Sequence, residues 1–266
     1  MRWVLLCLLC LALPAWADML EVDVELFLAV DVSRSMSPSE LEIQRRGYAE
    51  ALASDDVAQA VAGGLIGAVA ITYVEWAGAN SQREIIPWTV VTNASELRAV
   101  ADQVAANFDP SLRRTSISGA LMYAAESIEA NAFHGLRRVI DVSGDGPNND
   151  GRPVLRAREH VLAKGITING LPLMTRDGLG QRWHLEDLDA YYHNCVIGGP
   201  GAFIIPVLSW DQFAAAVRRK LVLEIAGYTP PARLIRAQHR GDSGPTYDCL
   251  IGEKIWERNR RYWDGP

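Results

Sequence analysis

The chain has 266 residues, of which 49% are hydrophobic and 22% are charged. These values are typical of a globular protein with a sizeable core. The formal net charge is −6 at pH 7, and the arginine-rich pieces are scattered among acidic residues. The composition therefore argues against a protein that binds nucleic acid or an anionic membrane surface.

Residues 1–17 have the pattern of a secretory signal peptide. Arg2 precedes an apolar run over residues 4–13, and an Ala-x-Ala-like cleavage site ends at Ala17. The apolar run is short for a transmembrane span, and no later segment approaches membrane length. We expect the mature protein to be exported, either periplasmic or secreted, and to have no membrane span.

Export would leave two cysteines in the mature chain, Cys195 and Cys249, because Cys7 and Cys10 lie within the predicted signal peptide. Two cysteines in an oxidising compartment most simply form one disulfide. Two buried free thiols are the alternative. A disulfide would join the end of the core to the C-terminal tail.

The first predicted strand covers residues 21–30, and its second half is almost entirely apolar, as in a strand covered on both faces. A capping box that begins at Ser37 predicts the start of the next helix. Asp31, Ser33 and Ser35 therefore lie on the loop between this strand and this helix, where ligands bind in open α/β sheets. One carboxylate and two hydroxyls suit a hard divalent cation such as Mg²⁺.

The rest of the chain alternates between helices and strands. We predict further strands at residues 66–76, 84–91, 137–142, 166–173 and 203–208, and helices at 41–53, 97–107, 117–130, 154–163, 183–193 and 210–225. Pro87 lacks an N–H donor and indicates an edge strand, which a short polar loop joins to the strand before it. The pattern predicts an α/β fold: a doubly wound, Rossmann-like, mostly parallel six-stranded sheet with one antiparallel edge strand and helices on both faces.

Two later segments offer oxygen ligands that match the first loop. Thr115 occurs in Arg-Thr-Ser-Ile-Ser-Gly-Ala-Leu at the start of a predicted helix, and Asp145 precedes a glycine just after an apolar strand. Together with Asp-x-Ser-x-Ser, these segments resemble the metal-ion-dependent adhesion site (MIDAS) of von Willebrand factor type A (vWA) domains. The resemblance covers residues 23–225 and implies the same fold and the same ligand set, namely Asp31, Ser33, Ser35, Thr115 and Asp145.

The resemblance also implies how these residues act. Ser33 and Ser35 would bind Mg²⁺ directly, Thr115 directly or through water, and Asp31 and Asp145 largely through bridging waters. Mn²⁺ and Ca²⁺ are alternative metals. An open coordination position would accept an Asp or Glu carboxylate from a protein partner, so the expected function is non-enzymatic binding.

Two positions of this ligand set have alternative candidate residues nearby in the sequence. The third motif reads Ser-Gly-Asp-Gly, whereas many vWA domains have a hydrophobic residue or Thr before Asp-Gly, so Asp141 is a rival for Asp145. Ser116 and Ser118 compete with Thr115 in the same way. We prefer Asp145, because Asp141 lies within the predicted strand.

The functional alternative is a metal-assisted hydrolase that uses the same site, although no histidine in the three loops could act as its general base. Two further strings, Val-Ile-Asp-Val-Ser-Gly-Asp-Gly and Cys-Val-Ile-Gly-Gly-Pro-Gly-Ala-Phe, resemble an uncharacterised family of exported bacterial vWA proteins. Residues 226–266 form a predicted C-terminal extension packed on the domain, with few periodic features.

Overall fold

The computed structural model describes residues 19–106, 112–175, 185–227 and 247–263. The predicted signal peptide, residues 1–17, lies outside the described residues. Within them, a mixed sheet of five strands is flanked by helices. No helix in these ranges is long and apolar enough to cross a membrane.

The strands of the sheet are arranged in the order β3-β2-β1-β4-β5. β1 pairs in parallel with β2 and with β4, β4 pairs in parallel with β5, and β3 pairs antiparallel with β2 at the edge. The predicted doubly wound, mostly parallel sheet with an antiparallel edge strand is therefore confirmed. The strands are β1 (Leu20–Asp31), β2 (Val69–Trp76), β3 (Gln82–Val91), β4 (Phe133–Gly144) and β5 (Thr167–Pro172).

The sixth predicted strand, residues 203–208, is not a continuous strand in the described part of the chain. This segment lies parallel to β5 but forms only isolated bridges, from Ile204 to Gly170 and from Val207 to Leu173. The hydrogen bonds from Ile205 to Gly170 and from Val207 to Pro172 are both made, but Pro172 has no N–H to donate to the Ile205 carbonyl between them, so the ladder is interrupted at that point. The prediction of six strands is corrected to five.

Helices cover both faces of the sheet. β1 shows how the two cores arise: Leu26 and Leu28 pack in one cluster, whereas Phe27 and Ala29 pack in the other, because successive side chains of a strand point to opposite faces. The helices are α1 (Pro38–Leu52), α2 (Asp55–Ala62), α3 (Ala94–Ala106), α4 (Ile117–Ala130), α5 (Val154–Ala163), α6 (Leu188–Tyr191), α7 (Phe213–Ala226) and α8 (Ile251–Trp263). The first face carries α1, α3 and α7, and the second carries α4, α5 and α6.

The first helix begins where the capping box predicts. The Ser37 hydroxyl accepts a hydrogen bond from the Glu40 N–H at 3.3 Å, and the Glu40 carboxylate accepts one from the Ser37 N–H at 2.7 Å. Gln44, one turn further on, donates to the carbonyl of Asp31 at 2.8 Å. The start of α1 is thereby held against the end of β1.

The C-terminal part of the structure differs from the prediction. In the described part of the helix predicted at residues 183–193, which begins at residue 185, the chain forms the short α6 followed by a π-helical turn, Tyr192–Val196, and the tail contains α8, which was not predicted. Cys195 in the π-helical turn forms a disulfide with Cys249, with a Cα–Cα distance of 5.5 Å. Disulfides are typical of proteins outside the reducing cytoplasm.

Candidate metal centre

The candidate site lies at the carboxyl ends of the two central parallel strands. Asp31 is the last residue of β1, and Gly144 is the last residue of β4, directly before Asp145. Because β1 and β4 are neighbours with Val30 opposite Ser143, the loops that follow them meet at one edge of the sheet. This is also where the strand order reverses, which is the usual ligand position in open α/β sheets.

Four of the five predicted ligands form one chain of polar contacts. The Ser33 N–H donates to Oδ1 of Asp31 at 2.7 Å, and the Ser33 and Ser35 hydroxyls are 2.8 Å apart. The Ser35 hydroxyl donates to Oδ1 of Asp145 at 2.8 Å. The structure therefore brings together the first and third loops as the motif spacing predicts.

Thr115, the fifth predicted ligand, is held between the same loops by its backbone. Its N–H donates to Oδ1 of Asn149 at 3.1 Å, and its carbonyl accepts a hydrogen bond from the Asn149 N–H at 2.8 Å. The N–H of Leu112 donates to the carbonyl of Val32 at 2.9 Å, which joins the second loop to the first. The buried Thr115 side chain thus lies on a loop anchored to both of the others.

The rival residues are engaged elsewhere. Oδ1 of Asp141 lies 2.6 Å from the buried Lys220 ammonium on α7. Ser116 caps α4, because its hydroxyl accepts a hydrogen bond from the Gly119 N–H at 3.1 Å and donates to a carbonyl at 2.8 Å. The Ser118 N–H donates to Asn148 at 2.9 Å, and its side chain is buried. These contacts give Asp141, Ser116 and Ser118 structural roles.

The surroundings of the two carboxyl groups of the site disfavour their ionised forms. Burial, followed by repulsion from Asp145, raises the pKa of Asp31 well above its usual range. Burial also raises the pKa of Asp145 to about 6, although this side chain is partly exposed at the mouth of the site. In the described part of the chain, neither carboxylate forms a salt bridge with Lys, Arg or His.

The donor set fits a hard divalent cation. Oδ2 of Asp31 is buried and has no hydrogen-bond partner among the described residues, although buried charged oxygens normally have one. A cation beside Asp31 and Asp145 would compensate their charge, and the hydroxyls of Ser33 and Ser35 add neutral oxygen ligands of the kind that Mg²⁺ accepts. The described residues contain no cluster of three or more His, Cys, Asp or Glu side chains suited to a metal, so a cation held here would need the hydroxyl ligands as well.

Sequence reasoning missed several residues that support this site. Asn148 on the third loop donates through Nδ2 to the Glu253 carboxylate on α8 at 2.8 Å, and its N–H donates to the Tyr191 hydroxyl at 3.1 Å. The Tyr192 hydroxyl and a ring carbon of Trp76 approach Gly144 beside Oδ2 of Asp31. No short-range pattern marks these residues, since their contacts join segments far apart in the chain.

Solved structures of vWA-type proteins share this fold. Proximal thread matrix protein 1 from the mussel byssus is 15% identical with a TM-score of 0.57, over 79% of this chain and 49% of that chain. The pilus adhesin SpaC from Lactobacillus rhamnosus GG is 12% identical with a TM-score of 0.58, over 78% and 31%. A von Willebrand factor type A protein from Catenulispora acidiphila is 12% identical with a TM-score of 0.54, over 77% and 43%.

These likenesses establish a vWA fold, and the chain spans less than half the length of each of the three proteins. Another structure of the thread matrix protein, 14% identical with a TM-score of 0.53 over 79% of this chain and 49% of that chain, is described as having a zinc-occupied MIDAS motif. A search of curated proteins finds no match. Residues 21–229 match the model of a family described as "protein of unknown function (DUF1194)". This match covers most of the sequence, and the chain therefore belongs to the DUF1194 family.

Proposed function

We propose that this protein is a non-enzymatic, divalent-metal-dependent protein-binding module. Its cation is Mg²⁺, with Mn²⁺ or Ca²⁺ as alternatives, and its partner offers an Asp or Glu carboxylate. The residues that would hold the cation, directly or through water, are Asp31, Ser33, Ser35, Thr115 and Asp145.

One observation carries the proposal: a fully buried carboxylate lies beside a second carboxylate with no basic partner among the described residues. Oδ2 of Asp31 has no hydrogen bond among the described residues, and its Oδ1 is linked to Asp145 through the Ser33 N–H and the hydroxyls of Ser33 and Ser35. Two like charges in a poorly solvated site destabilise the fold unless they are protonated or neutralised. A bound cation supplies that neutralisation, and with several neutral ligands it would remain able to attract a carboxylate from a partner.

The rim of the site favours an acidic partner. Although the chain has a net charge of −6, an arginine is exposed on each of the three loops: Arg34 on the first, Arg113 and Arg114 on the second, and Arg152 on the third. Of these, Arg114 is 3.4 Å from a carboxylate oxygen of Asp150. Exposed positive charge beside the cation would steer acidic groups towards it.

The comparisons support the same function at the level of the fold. SpaC is named as a pilus adhesin, and the thread matrix protein has a structure with zinc in its MIDAS motif. A vWA fold with the MIDAS residue pattern in a chain of the DUF1194 family is consistent with an adhesion-type role.

The metal site is tested by calorimetric titration of Mg²⁺, Mn²⁺ and Ca²⁺ into the purified protein and three variants. Ser33→Ala removes a hydroxyl ligand and Asp145→Asn removes a charge, so we expect each to weaken binding by tenfold or more. Ser39→Ala is the matched control, because it removes an exposed hydroxyl six residues further along the chain. Equal binding by all four proteins would refute the site.

Partner chemistry is tested with a glutamate-rich peptide and a glutamine-rich peptide of the same length. We expect the parent protein to bind only the acidic peptide, and only with Mg²⁺ rather than with EDTA. Arg34→Glu should weaken this binding and reduce its salt dependence. Equal binding in Mg²⁺ and EDTA would contradict metal dependence, and equal binding of both peptides would contradict an acidic partner.

A further inference from the structure

The space in front of Gly144 is occupied by side chains from other segments. A β-carbon at this position would lie 2.8 Å from the Tyr192 hydroxyl oxygen, 2.9 Å from Oδ2 of Asp31 and 3.3 Å from a ring carbon of Trp76. Such short contacts are not tolerated in a packed interior. The glycine before Asp145, where many vWA domains have a larger residue, is therefore required by these neighbours.

The three residues around this space, Asp31, Tyr192 and Trp76, each carry a buried polar atom without a hydrogen-bond partner among the described residues. These atoms are Oδ2 of Asp31, the Tyr192 hydroxyl and Nε1 of Trp76. The indole N–H can only donate, the tyrosine hydroxyl can donate, and the carboxylate oxygen can only accept. The three groups are thus complementary to one another.

The pleat of the sheet explains why they meet. Asp31 lies opposite Trp76 in the parallel pairing of β1 with β2, so their side chains share one face. Trp76 and Tyr192 belong to the same core cluster on this face. The Tyr192 hydroxyl and Oδ2 of Asp31 therefore approach Gly144 on the same face of the sheet.

We propose that Tyr192 is a positioning residue of the metal centre: its buried hydroxyl, which approaches the same point before Gly144 as Oδ2 of Asp31, holds that carboxylate oxygen in place. Groups that orient a ligand in this way typically alter metal affinity by tenfold to a hundredfold. The inference rests on the proposed metal-binding function and extends it to a residue 161 positions after Asp31 in the sequence.

The local backbone structure around Tyr192 supports a specific role for its side chain. Tyr192 is the first residue of the π-helical turn Tyr192–Val196, and its carbonyl accepts a hydrogen bond from the Ile197 N–H at 2.9 Å. π-Helical turns change the direction of a side chain relative to a regular helix and are frequent at functional sites. Cys195 in the same turn is held by the disulfide with Cys249.

The first test compares Tyr192→Phe with Tyr73→Phe, which removes the hydroxyl of a buried tyrosine in the opposite core cluster. Mn²⁺ affinity is measured by calorimetry and folding by thermal unfolding in EDTA. We expect Tyr192→Phe to stay folded and to bind Mn²⁺ about tenfold more weakly, and Tyr73→Phe to bind as the parent does. Equal affinity of the two folded variants would overturn the role of Tyr192.

The second test separates positioning from packing. Gly144→Ala should lower the unfolding temperature, because the added methyl group meets Tyr192 and Asp31. In the double variant Gly144→Ala/Tyr192→Phe the hydroxyl is gone, so we expect much of the stability to return while Mn²⁺ affinity stays low. Recovery of stability and affinity together would mean that Tyr192 only fills space, which overturns the inference.

The metal titrations distinguish failure of the proposed metal-binding function from failure of the role assigned to Tyr192. If the parent protein does not bind Mg²⁺, Mn²⁺ or Ca²⁺, the metal centre is refuted and the role of Tyr192 is refuted with it. If the parent and Tyr192→Phe bind equally well, only the role of Tyr192 is refuted.

Discussion

The guanidinium carbon of Arg114 lies 4.0 Å from the centroid of the Trp256 ring. Arg114 directly precedes Thr115 and has a φ of 75°, an uncommon value for a residue other than glycine. Trp256 belongs to α8, whose Glu253 also accepts the hydrogen bond from Asn148 on the third loop. The C-terminal helix therefore contacts two of the three loops of the candidate metal centre.

We expect Trp256→Ala to weaken both folding and metal binding. Loss of the cation–π contact and of part of the buried ring should lower the free energy of unfolding by about 1–2 kcal/mol. Release of Arg114 should lower Mn²⁺ affinity several-fold, because the loop that carries Thr115 loses a support. Glu257→Ala, an exposed change on the same helix, is the control for chemical unfolding and calorimetry. Matching results for the two variants would contradict a role for the contact.

Asp31→Asn should abolish metal binding and yet stabilise the metal-free protein. The amide oxygen can still accept the hydrogen bond from the Ser33 N–H, but the buried negative charge next to Asp145 is removed. We expect a gain in the free energy of unfolding of about 1 kcal/mol in EDTA at pH 8. Urea unfolding measures this gain, with Asp102→Asn, an exposed carboxylate on α3, as the control. A less stable metal-free variant would contradict the assigned repulsion.

Metal affinity should decrease at low pH. Burial raises the pKa of Asp145 to about 6, and a cation binds the ionised carboxylate. Mn²⁺ affinity should therefore fall as the pH is lowered from 7.5 through 6 to 5. Because the pKa is raised in the folded state, protonation stabilises the metal-free protein at low pH, and this contribution is lost as the pH rises through about 6. Calorimetric titrations at several pH values test the first statement, which a flat affinity profile would contradict, and urea unfolding in EDTA at the same pH values tests the second.

Removal of the disulfide should destabilise the protein and weaken the metal site. Cys195 and Cys249 are 54 residues apart in the sequence, and loss of a native disulfide typically lowers stability by about 2–5 kcal/mol. We expect Cys195→Ala/Cys249→Ala to unfold at a lower temperature and to bind Mn²⁺ more weakly, because the turn that carries Tyr192 loses its anchor. A reducing agent should lower the unfolding temperature of the parent but not of the variant. An unchanged parent would show that the disulfide does not contribute.

A second buried charge cluster should make stability depend on pH independently of the metal. Lys220 on α7 contacts both Asp141 and Glu224, and burial followed by the charge of Asp141 raises the pKa of Glu224 to about 7. The raised pKa means that stability is greater below about pH 5 and is lost as the pH rises through 7. Glu224→Gln keeps an oxygen that can accept the hydrogen bond from Asn169 and should reduce this pH dependence in EDTA. The same slope in parent and variant would contradict the assignment.

Local sequence patterns predicted the first loop well. An apolar strand, the Asp-x-Ser-x-Ser segment and the capping box at Ser37 are all determined within about twenty residues, and the structure reproduces the strand and the helix start. The conformations of residues 203–208 and of the C-terminal tail were harder to predict from the sequence, because they depend on contacts with distant segments of the chain. Pro172 on β5 lacks the N–H that would continue the expected ladder, and α8 contacts a loop about a hundred residues earlier in the chain.

The sequence by itself determined the α/β class, the strand and helix periodicities and the residue types of the candidate metal centre, since these depend on local hydrophobicity and hydrogen-bonding capacity. Only the tertiary structure decided which groups meet. The pairing of β4 with β1 places Asp145 against Ser35, 110 residues apart, and engages Asp141 with Lys220 instead. The same packing brings the hydroxyl of Tyr192 to the end of β1, because contacts between distant segments follow from strand order and side-chain packing, which no local pattern encodes.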